Sequence, residues 1–235
     1  MHCEAIRPLK IVIVGATGML GQGALRECLL ADDVMEVVTI GRSRSDQRHA
    51  KLHDVVVPDL TDLHAVEGAL RDVDACFFCL GVTSSGMSEA AYTHITFDLT
   101  LYVARTLLRL NPGMRFVYVS GAGADASERG KVMWARVRGR TENALRALPF
   151  AAVHVLRPGI IQPLHGTRSK TRAYRVFYAL AAPVLPLARR LWPGAVLTTE
   201  VIGRAMLNLV RRGAPGGVLE SAAIDAAARD PAPTP

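Results

Sequence analysis

The twelve residues KIVIVGATGMLG, positions 10–21, constrain this chain more than any other stretch. A continuous β-branched run ending in glycine suits a central parallel strand, because such a strand is covered on both faces and has no polar side to alternate with. Glycines 15, 18 and 21 follow with the spacing G-x-x-G-x-x-G, and the chain from Gly18 onward reads as a helix. Between a strand and a helix this spacing has a physical use. Gly15 allows the sharp turn, Gly18 lets backbone approach a diphosphate, and Gly21 permits tight packing of helix on strand. The backbone around Thr17, Gly18, Met19 and Leu20 then offers N–H groups at a helix N-terminus, where an anion is favoured.

The rest of the chain alternates in the same sense. Strands are predicted at 34–41, 51–60, 73–82, 114–120 and 150–159, separated by helices at 61–70, 88–110 and 131–148. Thr61, with Asp62 behind it, is placed to cap the first of these helices, and Ser88 to cap the second, which Pro112 and Gly113 stop. Strict strand and helix alternation predicts an α/β fold with a right-handed, doubly wound parallel sheet of the Rossmann type. At 235 residues, half of them hydrophobic, the chain suits a single domain with one sizeable core. We expect that domain over residues 1–223, with 160–212 forming a small substrate-covering lobe and 224–235 a flexible tail. Residues 176–188 are apolar, yet they are too few to span a bilayer and they contain Pro183 and Pro186.

Composition narrows the partners. Residues 1–117 hold 11 Lys and Arg against 14 Asp and Glu, whereas 118–235 hold 17 against 7, so the second half is strongly basic. The basic segment 168–192 is thus a candidate for weak contact with an anionic membrane surface. Nucleic acid is not expected, because aromatic residues are only 6% of the chain and do not interleave with the cations. Cys76 and Cys79 form a C-x-x-C, but they lie within a strand, where residues three apart face opposite ways, so neither a metal nor a redox centre is expected. The first residues show no apolar core of a secretory signal, which makes a cytoplasmic protein the default expectation.

A dinucleotide site that prefers NAD places a carboxylate at the end of the second strand. Here that strand ends Thr39-Ile40-Gly41-Arg42. A guanidinium at this point, with Arg44 or Arg48 in support, binds a ribose 2′-phosphate, so NADP(H) is the expected cofactor rather than NAD(H). Asp59 and Leu60, at the end of the third strand, are placed to contact adenine, although Asp59 serves equally well as a helix cap. Leu80 and Gly81, at the end of the fourth, line the crevice.

GATGMLG, Gly41-Arg42, Cys79-Leu80-Gly81, Val119-Ser120-Gly121 and Leu156-Arg157-Pro158-Gly159 together resemble the atypical short-chain dehydrogenase/reductases. The similarity is to the NAD(P)H-binding group that includes the Tat-interacting-protein oxidoreductases and NmrA-like proteins, and it covers about residues 10–212. It implies a carbonyl or hydroxyl substrate, a serine after the fifth strand, and a Tyr-x-x-x-Lys pair on the next helix. Ser120 matches the serine. At the expected place of the pair stand Trp134 and Arg138. Four residues keep both on one helical face, but an indole N–H does not ionise in a useful range, so Trp134 cannot act as general acid or base. Arg138 can still hold a ribose or a phosphate. Tyr118, His165, Tyr174 and Tyr178 are candidates for a substitute proton donor.

The resemblance further places Pro158 and Gly159 near the nicotinamide carboxamide. Arg157 is left with two roles, pairing with a core acid or facing the cofactor phosphates. The expected function is an oxidoreductase of low or unusual activity; the alternative is a non-catalytic sensor of NADPH and NADP⁺ that acts through a partner protein.

Overall fold

The computed structural model describes residues 8–167 and 196–229. Its first strand, β1 (Leu9–Val14), is fully buried from Ile11 to Val14, as a strand with no polar face must be. The chain turns at Gly15 into α1 (Met19–Leu30) and returns as β2 (Val34–Gly41) and then β3 (Leu52–Val56). A 3-10 helix at His64–Leu70 leads to β4 (Ala75–Phe78). Next come α2 (Glu89–Thr93), a π-helical turn at His94–Asp98, and α3 (Leu99–Leu110), which run on as one long helix. β5 (Arg115–Val119), α4 (Met133–Arg146) and β6 (Ala152–Arg157) complete the alternation.

Two short strands, β7 (Ile160–Gln162) and β8 (Val196–Thr198), pair in parallel outside the main sheet. The described chain ends with α5 (Thr199–Arg211), β9 (Gly217–Glu220) and α6 (Ser221–Arg229). The main sheet has seven strands in the order β3-β2-β1-β4-β5-β6-β9, and every pairing is parallel. The strand order reverses between β1 and β4. In a doubly wound sheet the crevice for a ligand lies at that reversal, beyond the carboxyl ends of the strands.

Alternate residues of each strand feed two cores. Ile11, Ile13, Phe77, Val117 and Leu156 face α1 and α5, whereas Val12, Val14, Phe78, Phe116 and Tyr118 face α3. Cys76 and Cys79 fall on opposite sides accordingly, and burial pushes both thiols well up, Cys79 to about 12.

Several expectations change. The 3-10 helix begins at His64 with Leu63 before it, and its first N–H donates to Asp62 Oδ1 at 3.2 Å, so Asp62 rather than Thr61 meets the helix start. Within the predicted lobe, α5 packs on α1 as part of the core, burying Ile202, Ala205, Met206 and Leu209. Residues 168–195, with Tyr174, Tyr178 and the basic apolar stretch, lie outside the described residues. The predicted tail is helical through Arg229, because Ile224 is fully buried against the core and Asn208 Nδ2 donates to the carbonyl of Ala227 at 3.0 Å. Strand β9 was not foreseen at all.

Candidate functional site

At the turn after β1, Gly15 has φ +85°, a left-handed conformation that favours glycine. A Cβ there would stand 2.7 Å from Leu80 N, so the turn is pressed against the end of β4. A Cβ on Gly21 would stand 2.1 Å from the Gly15 carbonyl oxygen, which leaves no room for any side chain and seats the first turn of α1 directly on the strand end. Gly18 is the N-cap of α1, and no side chain caps the helix; its first turn contains no acidic residue. Gly18 N donates to the Gly15 carbonyl at 3.0 Å, so the backbone N–H groups of Met19 and Leu20, with the positive end of the helix dipole, are what the turn offers an anion at the switch point of the sheet. Met19 and Leu20 direct their side chains to the core, so Thr17, Gly18, Met19 and Leu20 present backbone here.

Arg42 follows β2 and is exposed, as are Arg44 and Arg48. Among the described residues the Arg42 guanidinium has no hydrogen-bond or ion-pair partner. The loop that carries it is clasped by Asp54 of β3, whose carboxylate accepts from Ser45 N at 3.1 Å and from Ser45 Oγ at 3.2 Å. Asp59 lies on the surface and accepts from Thr61 N at 2.8 Å, a local turn contact that holds its carboxyl below the ordinary range. Leu60 is buried and belongs to the same core cluster as Leu63.

Beyond β4 and β5 the geometry departs from a simple serine-assisted site. The Ser120 hydroxyl donates to Glu142 Oε1 and is buried. Glu142, 1% exposed, also receives Arg157 Nη2 at 2.5 Å and Arg157 Nε at 3.1 Å. Arg157 then reaches Glu220 of β9 through Nη1 at 3.2 Å. Of the two roles left open for Arg157, it takes the pairing with a core acid. With its proton given to a carboxylate, Ser120 has none to offer a substrate oxygen in this arrangement.

Arg138, one helical turn before Glu142, projects beneath the strand ends. Its Nε donates to the Tyr92 hydroxyl at 3.1 Å. Nη2 lies 3.5 Å from where a Cβ on Gly81 would stand, and Nη1 3.8 Å from that of Gly121. Burial opposes the charge, but Tyr118, Tyr92 and, last in size, the nearby Glu142 carboxylate, which is not bonded to it, more than compensate and keep the guanidinium protonated. Tyr118 is itself 2% exposed, and burial pushes its phenol up to about 12. Trp134 lays its ring edge 3.4 Å from the Cβ position of Gly123 and packs on the loop after β5.

Pro158 and Gly159 act through backbone. The Pro158 carbonyl accepts from Ala122 N at 3.1 Å, and Gly159 N donates to Ser221 Oγ at 2.9 Å. His165 is exposed, its Nε2 2.8 Å from Glu200 Oε2, and Glu200 is held below the ordinary carboxylate range by that contact. The sequence reading missed the partners Tyr92 and Glu142. Glu142 left one trace: a charge four residues after Arg138, on the face of α4 that the sheet buries.

A model of the NAD dependent epimerase/dehydratase family matches residues 11–131, which span β1 through β5 and the glycine turn. The chain belongs to this family. Relatives by sequence and by fold extend the picture. The protein fmp52, mitochondrial, of Emericella nidulans is 28% identical over 207 residues, 85% of this chain and 86% of that protein. Protein HTATIP2 of Rattus norvegicus is 27% identical over 155 residues, 65% of this chain and 62% of its own. Among solved structures, MoeE5 in complex with UDP-glucose and NAD superposes with a TM-score of 0.65 at 17% identity, covering 90% of this chain and 75% of that one. A short chain dehydrogenase from Burkholderia cenocepacia J2315 in complex with NADP superposes with a TM-score of 0.61 at 18% identity, covering 91% and 89%.

The resemblance to the atypical short-chain dehydrogenase/reductases and the doubly wound fold are both borne out. Membership of an NAD dependent epimerase/dehydratase family makes a nicotinamide dinucleotide the cofactor class of the family to which the chain belongs. The cytoplasmic expectation is overturned: the fungal relatives that match over most of the chain are named as mitochondrial proteins.

Proposed function

We propose that this chain binds NADP(H) across the carboxyl ends of β1, β2 and β4 and acts as an oxidoreductase of low or unusual activity on a carbonyl or hydroxyl substrate. The observation that carries the reading is the uncapped start of α1, seated by Gly15 and Gly21 at the reversal of the strand order. Its backbone N–H groups suit the diphosphate. Arg42, exposed and unpaired among the described residues, suits the 2′-phosphate, where a carboxylate would repel it. Gly81 leaves the wall of the crevice open toward Arg138, which holds the nicotinamide ribose. When bound, the nicotinamide gives or takes hydride.

The proton on the substrate oxygen comes from water or an exposed group such as His165, because Trp134 cannot supply it and Ser120 is engaged by Glu142. That same engagement favours a second reading, a non-catalytic sensor of NADPH and NADP⁺. Calorimetric titration with NADPH and NADH tests the cofactor assignment. NADPH should bind about 10- to 100-fold more tightly, as a charge-assisted hydrogen-bond pair provides, and Arg42→Glu should abolish the preference. Equal affinities in the unaltered protein would remove the assignment to NADP(H). Turnover of a carbonyl panel with NADPH separates the enzyme from the sensor.

A further inference from the structure

We propose that Arg138 is the receptor for an oxyanion, a carboxylate or a phosphate, carried by the second ligand of this site. The proposal rests on the dinucleotide reading for the ligand's neighbour in the crevice, but its own evidence is local.

A guanidinium half-buried against the sheet ends normally has a counter-ion, because an unpaired charge withdrawn even partly from water is costly. Arg138 has none among the described residues. The nearest acid on its own helix, Glu142, is taken by Arg157 and Ser120. Its one hydrogen bond among the described residues, Nε to the Tyr92 hydroxyl, fixes the plane of the group without neutralising it. Both Nη atoms have no partner yet are not sealed from solvent. They open between Gly81 and Gly121, two residues whose lack of side chains leaves a flat slot on each side of the fork. The slot lies at the carboxyl ends of the parallel strands β4 and β5, where a substrate would lie.

A ribose hydroxyl needs a single donor. The fork carries four Nη–H bonds, so a ribose contact and an oxyanion can be served together. A planar fork with its edge free pairs with a carboxylate or phosphate through two parallel hydrogen bonds, a match that lysine at this place does not give. Tyr92 is a positioning residue in this scheme. It touches no ligand and holds the edge of the guanidinium toward the slot.

The test is calorimetry on NADPH-saturated protein with two matched pairs of probes: pyruvate against neutral pyruvamide, and dihydroxyacetone phosphate against dihydroxyacetone. One charged probe should bind saturably at millimolar or lower concentration while its neutral partner does not, and the pair that responds tells carboxylate from phosphate. Arg138→Gln should weaken that binding by about 10- to 100-fold. Arg138→Lys, which keeps the charge and loses the fork, should fall between, and Tyr92→Phe should cost several-fold without abolishing it. Should Arg138→Gln fail to fold, Arg138→Lys decides. Neutral probes binding as well as charged ones, or Arg138→Lys binding as the unaltered protein does, overturns the proposal; so does the absence of binding by all four. If the protein takes no dinucleotide, only the cofactor reading fails, and the same titrations on dinucleotide-free protein decide the oxyanion receptor.

Discussion

His154 makes the fold acid-sensitive in a way that one substitution can isolate. It sits in the middle of β6, between Val117 of β5 and Gly217 of β9 in the ladder, and is fully buried with no hydrogen bond to either ring nitrogen. Burial, and then the charge of Arg115 on the neighbouring strand, push its pKa down to about 4. An unfolded histidine titrates near 6.5, so the native state favours the neutral ring. Its stabilising effect is complete above that value and is lost as pH falls toward 4. The full span amounts to about 3 kcal/mol, of which about 2 kcal/mol is already gone at pH 5.

Urea unfolding at pH 7.5 and pH 5 measures it, with His154→Leu as reference. Carboxylates that titrate in the same window cancel in the difference between the two proteins. The unaltered protein should lose about 2 kcal/mol more than His154→Leu over that interval, and His154→Leu should be no less stable at pH 7.5, since it removes two unpaired polar atoms. Parallel pH responses would refute the reasoning.

Two further outcomes follow from the crevice. Gly21→Ala should lower stability by about 2 kcal/mol or more and abolish dinucleotide binding, because its Cβ would lie 2.1 Å from the Gly15 carbonyl oxygen; circular dichroism melts and a fluorescence titration with NADPH check both. Glu142→Leu should destabilise the fold by about 3–5 kcal/mol, since it strands Arg157 near the core, and a paired Glu142→Leu, Arg157→Met change should recover part of that loss in denaturant melts.

What could be read from the sequence was whatever depends on neighbours along the chain. The β-branched run at 10–14, the glycine spacing at 15–21 and the alternation that followed are local patterns, and they fix a parallel sheet because each strand must be covered on both faces. Strand β9 escaped because GVLE is four residues long, follows a Gly-rich turn, and becomes a strand only through the ladder β6 offers it. The helix after it looked like an Ala-rich tail, and only the burial of Ile224 distinguishes it. At the site, residue identity was legible where the backbone itself does the work, as at Gly15 and Gly21. It was not legible where two side chains meet from distant elements: Ser120 with Glu142, and Arg138 with Tyr92, 46 residues apart.

The bond from Gly159 to Ser221 and the ion pair from Arg157 to Glu220 have a consequence for how this protein comes into being. A ribosome releases the chain from its beginning, and the glycine turn can form early. The wall opposite it cannot. Strand β6 acquires its outer neighbour only when Gly217–Glu220, about sixty residues further along the chain, have emerged, so a nascent chain holds an open sheet edge through that interval. Completion of the crevice is thus timed by the arrival of β9 and Ser221, not by the glycine turn.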